Sequence, residues 1–315
     1  MELLVTGGTG LVGNALQKVR PDAIYVSSKG YDLTKEVEVK AMFEKYRPAN
    51  VIHLAARVGG IIENMSYPAE FIYQNVLMNT YVVHYANKYK VKKLIGLISN
   101  CAYPDKVEKY PMVESQLHDG PPAITNFSYA YSKRTLEVQI KAYRSQYGCN
   151  YFSVIPCNLY GPHDKFDENK SHFLAALIHK IYDVKKNKGR VIKLLGTGKP
   201  LRQYLYSEDL AKILLLLLKK YDSEGPINIA PKENLSIAQI AKIALKATES
   251  SDLELVFDES SPDGQYRKDI CSDKLFDIIG DFRFTSLSDG IKRTYEWYSN
   301  SMEQYIPRRI SNDYE

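Results

Sequence analysis

The sequence predicts an α/β fold: a doubly wound parallel sheet followed by a smaller C-terminal α/β substrate lobe. Three observations predict it. Short apolar runs alternate with helix-length amphipathic stretches through the first half of the chain. A glycine-rich turn, Thr6-Gly7-Gly8-Thr9-Gly10-Leu11-Val12-Gly13, joins the first apolar run to the first helical pattern. After about Pro156 the alternation loses its regularity. The expected division is residues 1–156 for dinucleotide binding and 157–315 for substrate, and no linker composition separates them, so the two are expected to interlock.

Taken in order, Leu3-Leu4-Val5 reads as a short buried strand, and Leu11, Ala15, Leu16 and Val19 carry the following helix. Glycines at 7, 10 and 13 allow a tight turn, close approach of a pyrophosphate, and close helix–strand packing. The helix N-terminus offers unpaired N–H groups to the phosphates. This is the signature of a Rossmann-type dinucleotide site. The second strand, Ala23 to Ser27, ends in Ser27-Ser28-Lys29 with no carboxylate before Asp32. A site for NAD usually places an acid there to bind the ribose 2′-OH. Hydroxyls and an ammonium suit a 2′-phosphate, so NADP(H) is the expected cofactor.

Strands are expected at Asn50–Ala56, Lys93–Ser99 and Asn150–Pro156, with helices near 35–45, 71–90 and 129–147. His53, inside the third strand, reads as a satisfied core histidine. Beyond 156, a loop at 158–171 precedes a helix from His172, and a strand at Val191–Leu195 runs into a Gly196–Pro200 turn. Ser207 reads as the N-cap of a helix over 208–220, a capped helix starts near Ser236, and a last one covers about 286–303.

Composition narrows the function classes. The chain has 315 residues, 44% hydrophobic and 25% charged, ordinary for a globular protein. A net charge of +5, spread along the chain, suits an anionic small molecule and makes no case for nucleic acid. Four cysteines without metal-ligand spacing fit a reduced cytoplasm and predict no metal site. Met1-Glu2 leads directly into the first strand, so no secretory signal is expected. The longest apolar run, Ile213 to Leu218, is too short to span a bilayer, so no membrane is expected as partner.

One segment carries chemistry by spacing. Tyr129-Ala130-Tyr131-Ser132-Lys133 sets a phenol and an amine one helical turn apart on one face. A phenol titrates near ~10, and a neighbouring ammonium favours phenolate, which makes a tyrosine usable as an acid–base group. In a chain with 25 Tyr the pattern is weak alone. Tyr131, two residues from Lys133, faces away from the amine and reads as structural. Cys101 alone reads as a core thiol, and His172 alone as a surface helix residue.

Together the pieces resemble a family. The Thr6–Gly13 turn, Ser99 at a strand end, and Tyr129-x-x-x-Lys133 resemble the extended short-chain dehydrogenase/reductases. His53–Gly60, Ser99-Asn100-Cys101-Ala102-Tyr103-Pro104, Pro156–Asp164, His172 with Ala175–Ile178, and Pro262-Asp263-Gly264 narrow the resemblance to the GDP-L-fucose synthase family, up to about Met302. The resemblance implies NADPH-dependent 3,5-epimerisation and 4-reduction of GDP-4-keto-6-deoxy-mannose by a homodimer joined through the helices around 75–90 and 129–147. A C4 ketone acidifies the hydrogens on C3 and C5, and inverting those centres needs proton removal on one face and return on the other. Cys101 and His172 match the family's acid–base pair. For reduction, Tyr129 matches the proton donor, Ser99 the partner of the carbonyl, and Lys133 the residue that binds the nicotinamide ribose and lowers the phenol's pKa.

The same resemblance assigns the cofactor to Gly7, Gly8, Thr9, Gly10, Leu11, Val12, Gly13, Ser28, Lys29, Asp32, Leu33, Ala55, Ala56, Asn75, Lys133, Pro156, Asn158 and Leu159. Substrate contacts fall on Asn158, Lys180, Leu195, Arg202, Arg267 and Lys268, with Lys180 and Arg202 matching diphosphate contacts and Asn75 supporting the cofactor site. Three departures bear on the sugar and base. Asn100 stands where Ser or Thr is common, Cys157 where Thr is common, and Leu195 where some members have Trp. Two alternatives therefore stand beside the main reading. One is a 4-reductase with little epimerase activity on a related GDP-linked sugar such as a heptose. The other is a nucleotide-binding regulator without chemistry.

Overall fold

A computed structural model describes residues 2–167, 171–261 and 263–304. The elements are, in order, β1 (Leu3–Thr6), α1 (Leu11–Val19), β2 (Ile24–Val26), α2 (Glu36–Tyr46), β3 (Asn50–His53), α3 (Ile61–Ser66), α4 (Pro68–Lys88) and β4 (Lys93–Leu97). There follow α5 (Phe127–Tyr147), β5 (Asn150–Pro156), β6 (Asn158–Tyr160), α6 (Phe173–Lys186), β7 (Val191–Leu195), β8 (Leu201–Arg202), β9 (Tyr204–Tyr206) and α7 (Ser207–Lys220). The chain ends in β10 (Ile227–Ile229), β11 (Leu235–Ser236), α8 (Ile237–Ala247), β12 (Glu254–Asp258), α9 (Asp273–Ile279) and α10 (Leu287–Gln304).

Six strands form one parallel sheet in the order β10-β5-β4-β3-β1-β2. From β1 the chain steps outward to β2, then crosses back to β3. The carboxyl ends of β1 and β3 therefore flank a switch point, where an open α/β sheet leaves a crevice for ligand. Side chains alternate along β1: Leu3 and Val5 join the core under α1, α7 and α9, while Leu4 faces the core under α2, α4 and α5. Both faces are covered, which explains why the strands read as continuous apolar runs. A third core, including Tyr160, Leu177, Ile192, Ala241 and Ile291, holds the smaller lobe together. There β7–β12 and β6–β9 pair in parallel and β8–β11 antiparallel.

Several expectations are corrected. Ser207 is the first residue of α7, with Tyr206 in the capping position and no side-chain cap. Ser236 does cap α8, in a reciprocal pair with Gln239. Strands β3 and β4 stop at His53 and Leu97, because the chain then turns out of the sheet to line the crevice. β10 was not expected: three residues after Gly225-Pro226 carry no periodicity, yet they pair with β5 and complete the sheet from a distant part of the chain. Pro262 of the quoted Pro262–Gly264 motif, and residues 168–170 of the 158–171 loop, lie outside the described residues. No described helix is long and apolar enough to cross a membrane.

Candidate active site

A cavity of about 700 Å³ opens over the switch point. Its lining takes in Gly7, Thr9, Gly10, Leu11, Val12 and Gly13 from the first turn, and Ser28, Asp32 and Leu33 after β2. Ala55 and Ala56 after β3, and Pro156, Asn158 and Leu159 around the end of β5, add further wall. Ser99, Cys101, Tyr129, Lys133 and His172 line the same space. Five chemically distinct groups from three separate stretches thus converge on one cavity.

The first turn fits a dinucleotide. Gly7 has φ +71, and a Cβ there would sit 2.8 Å from the Ala55 nitrogen. A Cβ at Gly13 would collide with the Gly7 and Gly8 carbonyls, so α1 can approach the turn only through glycine. The opening turn of α1 leaves N–H groups free of intrahelical partners beside the cavity, a ready anion site. At the ribose end, Asp32 is engaged locally: its carboxylate accepts from the Thr34 N–H at 3.0 Å and the Thr34 hydroxyl at 2.6 Å. Those bonds hold its pKa below the usual value. Ser27, Ser28 and Thr34 line the cavity beside it, a hydroxyl-rich end suited to a phosphorylated ribose.

Ser99 opens a tight turn over Asn100–Ala102, and its Oγ accepts from the Cys101 N–H at 3.3 Å. Tyr129 and Lys133 project from α5. The Lys133 ammonium is buried, donates to the Leu97 carbonyl at 2.8 Å, and lies 5.7 Å from the Tyr129 ring centre. Burial lowers its pKa to about 8. Tyr129 departs from the expectation that Lys133 lowers its phenol. Burial raises it, the neighbouring Cys101 adds to the rise, and the hydrogen bond with Ser99 offsets only part. At neutral pH the phenol therefore keeps its proton. Tyr131 is exposed and sits under the Arg134 guanidinium, away from Lys133.

All four cysteines are free, and Cys101 differs from the other three. Burial pushes its thiol up, but the Lys268 charge and hydrogen bond, the Ser99 hydrogen bond and the Arg202 charge outweigh it, and the net shift is down. The Lys268 ammonium donates to Cys101 Sγ at 2.9 Å. Cys157, buried without such partners, is shifted the other way. His172 holds the N-cap position of α6 at the cavity without a side-chain cap, and desolvation, Lys268 and Lys165 all hold its imidazole toward the neutral form.

Other expected residues are not among the cavity lining. Gly8 is buried against Tyr25, where it shapes the turn. Lys29 is not in the lining, whereas Ser27 and Ser28 are. Asn75 braces the crevice from behind: its carboxamide accepts from the Arg57 N–H and donates to the Arg57 and Phe71 carbonyls. Lys180 donates to the Lys193 carbonyl at 3.0 Å, and Leu195 is 73% exposed on the outer face of β7. Arg202 is half-buried near Cys101 and Asp263 and donates to the Leu201 carbonyl. Arg267 is taken up by a two-point ion pair with Asp269, at 2.6 and 3.0 Å, and by the Tyr110 ring. Lys268 meets the site through Cys101.

Sequence reasoning missed Asp164 and Lys165, both in the lining. Burial lifts the Asp164 carboxyl to about 6, against the Lys165 N–H and charge. Lys165 reaches across the cavity to the Val58 carbonyl at 3.0 Å. Asp164 ends the Pro156–Asp164 motif, and that was the available signal.

The model of the NAD dependent epimerase/dehydratase family matches residues 3–230. GDP-L-fucose synthase of Dictyostelium discoideum is 39% identical, covering 96% of this chain and 96% of its own. The crystal structure of a GDP-L-fucose synthetase from Naegleria fowleri bound to NADP superposes with a TM-score of 0.87 at 37% identity, covering 96% of this chain and 94% of that one. A GDP-6-OMe-4-keto-L-xylo-heptose reductase from Campylobacter jejuni also superposes with a TM-score of 0.87, at 26% identity, covering 95% and 98%. With the glycine turn, the Ser-Tyr-Lys set and the Cys101/His172 pair in one cavity, the chain belongs to the NAD dependent epimerase/dehydratase family and, within it, to the GDP-L-fucose synthases, which are NADP-dependent oxidoreductases.

Proposed function

We propose that the protein converts GDP-4-keto-6-deoxy-D-mannose to GDP-L-fucose by 3,5-epimerisation and 4-reduction. The observation that carries the reading is the convergence of Cys101 and His172 on the cavity lined by Ser99, Tyr129 and Lys133. A reductase needs only the last three; the thiol and imidazole have work only beside a carbon acidified by a ketone.

In this reading the Thr6–Gly13 turn and Ser28 hold the cofactor's phosphates, and Lys133 its nicotinamide ribose. When bound, NADPH supplies the hydride for C4. Ser99 holds the C4 carbonyl oxygen, which polarises the ketone for both reactions. Cys101 takes the proton from carbon, and His172 returns one on the opposite face. An arriving diphosphate offsets the Lys165 charge that helps keep His172 neutral in the free protein, so the imidazole can load the proton it returns. Tyr129, protonated at rest, gives its proton to the C4 oxygen as reduction completes. Arg202 and Lys180 are read as cations for the diphosphate, Leu195 as an apolar wall for the base, and Asn158 as a sugar or nicotinamide contact.

The division into a cofactor domain (1–156, with β10) and a sugar-nucleotide lobe is part of this proposal, as are a cytoplasmic location and a homodimer. Supporting the dimer, Ile72 and Tyr73 on α4 and Phe127 and Val138 on α5 are exposed on adjoining helices. The heptose 4-reductase reading keeps one specific support, Asn100 and Cys157 in the cavity wall where the family commonly carries hydroxyls. Incubation with NADPH and GDP-4-keto-6-deoxy-mannose tests the main reading: it expects stoichiometric NADPH oxidation and GDP-L-fucose. No oxidation, or a product epimeric with fucose, would count against it.

A further inference from the structure

Lys268 enters the site from the wrong end of the chain, 167 positions from Cys101, and its placement is built. The segment that carries it is pinned on both sides of Ile270. Gln203 accepts from the Ile270 N–H at 2.9 Å and donates to the Ile270 carbonyl at 3.2 Å. Met112 zips to the same segment, donating to Asp269 and accepting from Cys271. Arg267 locks Asp269 from the adjacent position. The Asn100 carboxamide reaches the Lys268 carbonyl at 3.5 Å, so neighbouring residues 100 and 101 hold both ends of this lysine. A solvated surface lysine has none of this; Lys268 is half-buried with its backbone fixed and its ammonium on a sulfur.

We infer that Lys268 is the positioning residue that makes Cys101 the proton-abstracting member of the Cys101/His172 pair. The inference rests on the proposed epimerase reading. The groups acting on the thiol are Lys268, Arg202 and Ser99, and they include no carboxylate among the described residues. On its remaining side stands Tyr129, a protonated phenol. Across the cavity, the Lys268 charge draws the thiol toward its anion and also lowers the pKa of the His172 imidazole, so one cation acts on both members of the pair. The step balances without a co-reactant. The thiolate takes the proton on the carbon beside the ketone, the S–H bond forms as the C–H bond breaks, and the electron pair passes to the ketone oxygen as enolate. The ammonium then faces a neutral thiol; His172, loaded with a proton as imidazolium, gives that proton to the enolate carbon on the opposite face, and thiol and imidazole exchange protons with solvent to reset the pair. Without Lys268, burial would be opposed only by the Ser99 hydrogen bond and the Arg202 charge, and the thiol would shift toward its protonated form.

The test reads the thiol directly. Wild type, Lys268→Met and Lys268→Arg are alkylated with iodoacetamide across pH, and modification of Cys101 is followed by peptide mass spectrometry against Cys149, Cys157 and Cys271. The expected result is an inflection for wild-type Cys101 below that of an ordinary thiol. In Lys268→Met it moves up by about one unit or more, with roughly tenfold slower alkylation near neutral pH, while Lys268→Arg stays close to wild type. A Met variant that follows the wild-type curve overturns the inference. Should the Met variant fail to bind NADPH, and so fail the folding control, the wild-type inflection decides alone: at or above that of an ordinary cysteine, the inference falls. With substrate in deuterated water, Lys268→Met should lose exchange at C3 and C5 at least tenfold more than it loses NADPH oxidation from pre-epimerised substrate; equal losses contradict it. Alkylation requires no turnover, so a low Cys101 inflection in a protein inert toward the GDP-sugar would sink the functional reading and leave Lys268 its role.

Discussion

At the scale of single residues, the site sorts its proton carriers by environment. Tyr129 and Cys101 are adjacent, yet burial holds the phenol protonated while Lys268 and Ser99 draw the thiol toward its anion. A phenol pushed up and a thiol drawn down thus sit side by side in one cavity, shifted in the directions a proton donor and a proton acceptor need. Lys133 contributes position: its ammonium is committed to the Leu97 carbonyl and is not what governs the Tyr129 phenol here. Replacing Tyr129 by Phe should lower kcat about 10²–10⁴-fold, the usual worth of a positioned acid. NADPH binding should stay within about twofold, measured by fluorescence titration, because the phenol serves the ketone. A variant that loses NADPH affinity instead would assign Tyr129 to the cofactor.

At the scale of elements, a buried chain of hydrogen bonds ties the cofactor turn to the catalytic helix. The Thr6 hydroxyl meets His53 Nδ1 at 2.8 Å, His53 Nε2 meets the Asn79 carboxamide oxygen at 3.1 Å, and Asn79 Nδ2 donates to the Ser132 carbonyl at 3.1 Å. β1, β3, α4 and α5 are linked through one imidazole, with Nε2 as the donor. His53 is thus the satisfied core histidine its apolar strand suggested. Burial and the Lys133 charge drop its pKa from 6.5 to about 3. Between those values the unfolded chain binds a proton that the folded chain refuses, so this contribution to stability is complete above about pH 6.5 and erodes as pH falls. Urea unfolding at about pH 7.5 and 5.5 should show wild type losing about 1.4 kcal/mol more than His53→Gln. Parallel slopes for the two proteins would contradict it. Elements whose residues each serve one visible need were legible in the sequence. Gly7 and Gly13 tolerate no Cβ, and Ser236 pairs reciprocally with Gln239. β10 was not legible, because its three residues are a strand only by virtue of lying against β5.

At the scale of the whole molecule, the C-terminal half supplies both an edge strand to the large sheet and the lysine that meets Cys101. Local charge pairing separates two residues that pattern reading leaves alike. Arg267 and Lys268 look alike in sequence, but Asp269 captures the first while the clamp at Ile270 turns the second to the thiol. No spacing rule spans such a distance, whereas Tyr129 and Lys133 lie one helical turn apart and announce themselves. The exposed apolar faces of α4 and α5 predict a dimer in light scattering, and Tyr73→Glu with Val138→Glu should shift it to monomer without removing NADPH binding. An unchanged mass would place the interface elsewhere. The central claim is that one cavity performs proton exchange at carbon as well as reduction, and turnover in deuterated water with NADPH and GDP-4-keto-6-deoxy-mannose tests it most directly. Deuterium should appear at C3 and C5 of the product with wild type and vanish with Cys101→Ser, which should still reduce a pre-epimerised ketone. A product bearing no deuterium at either carbon would contradict the account and leave a 4-reductase.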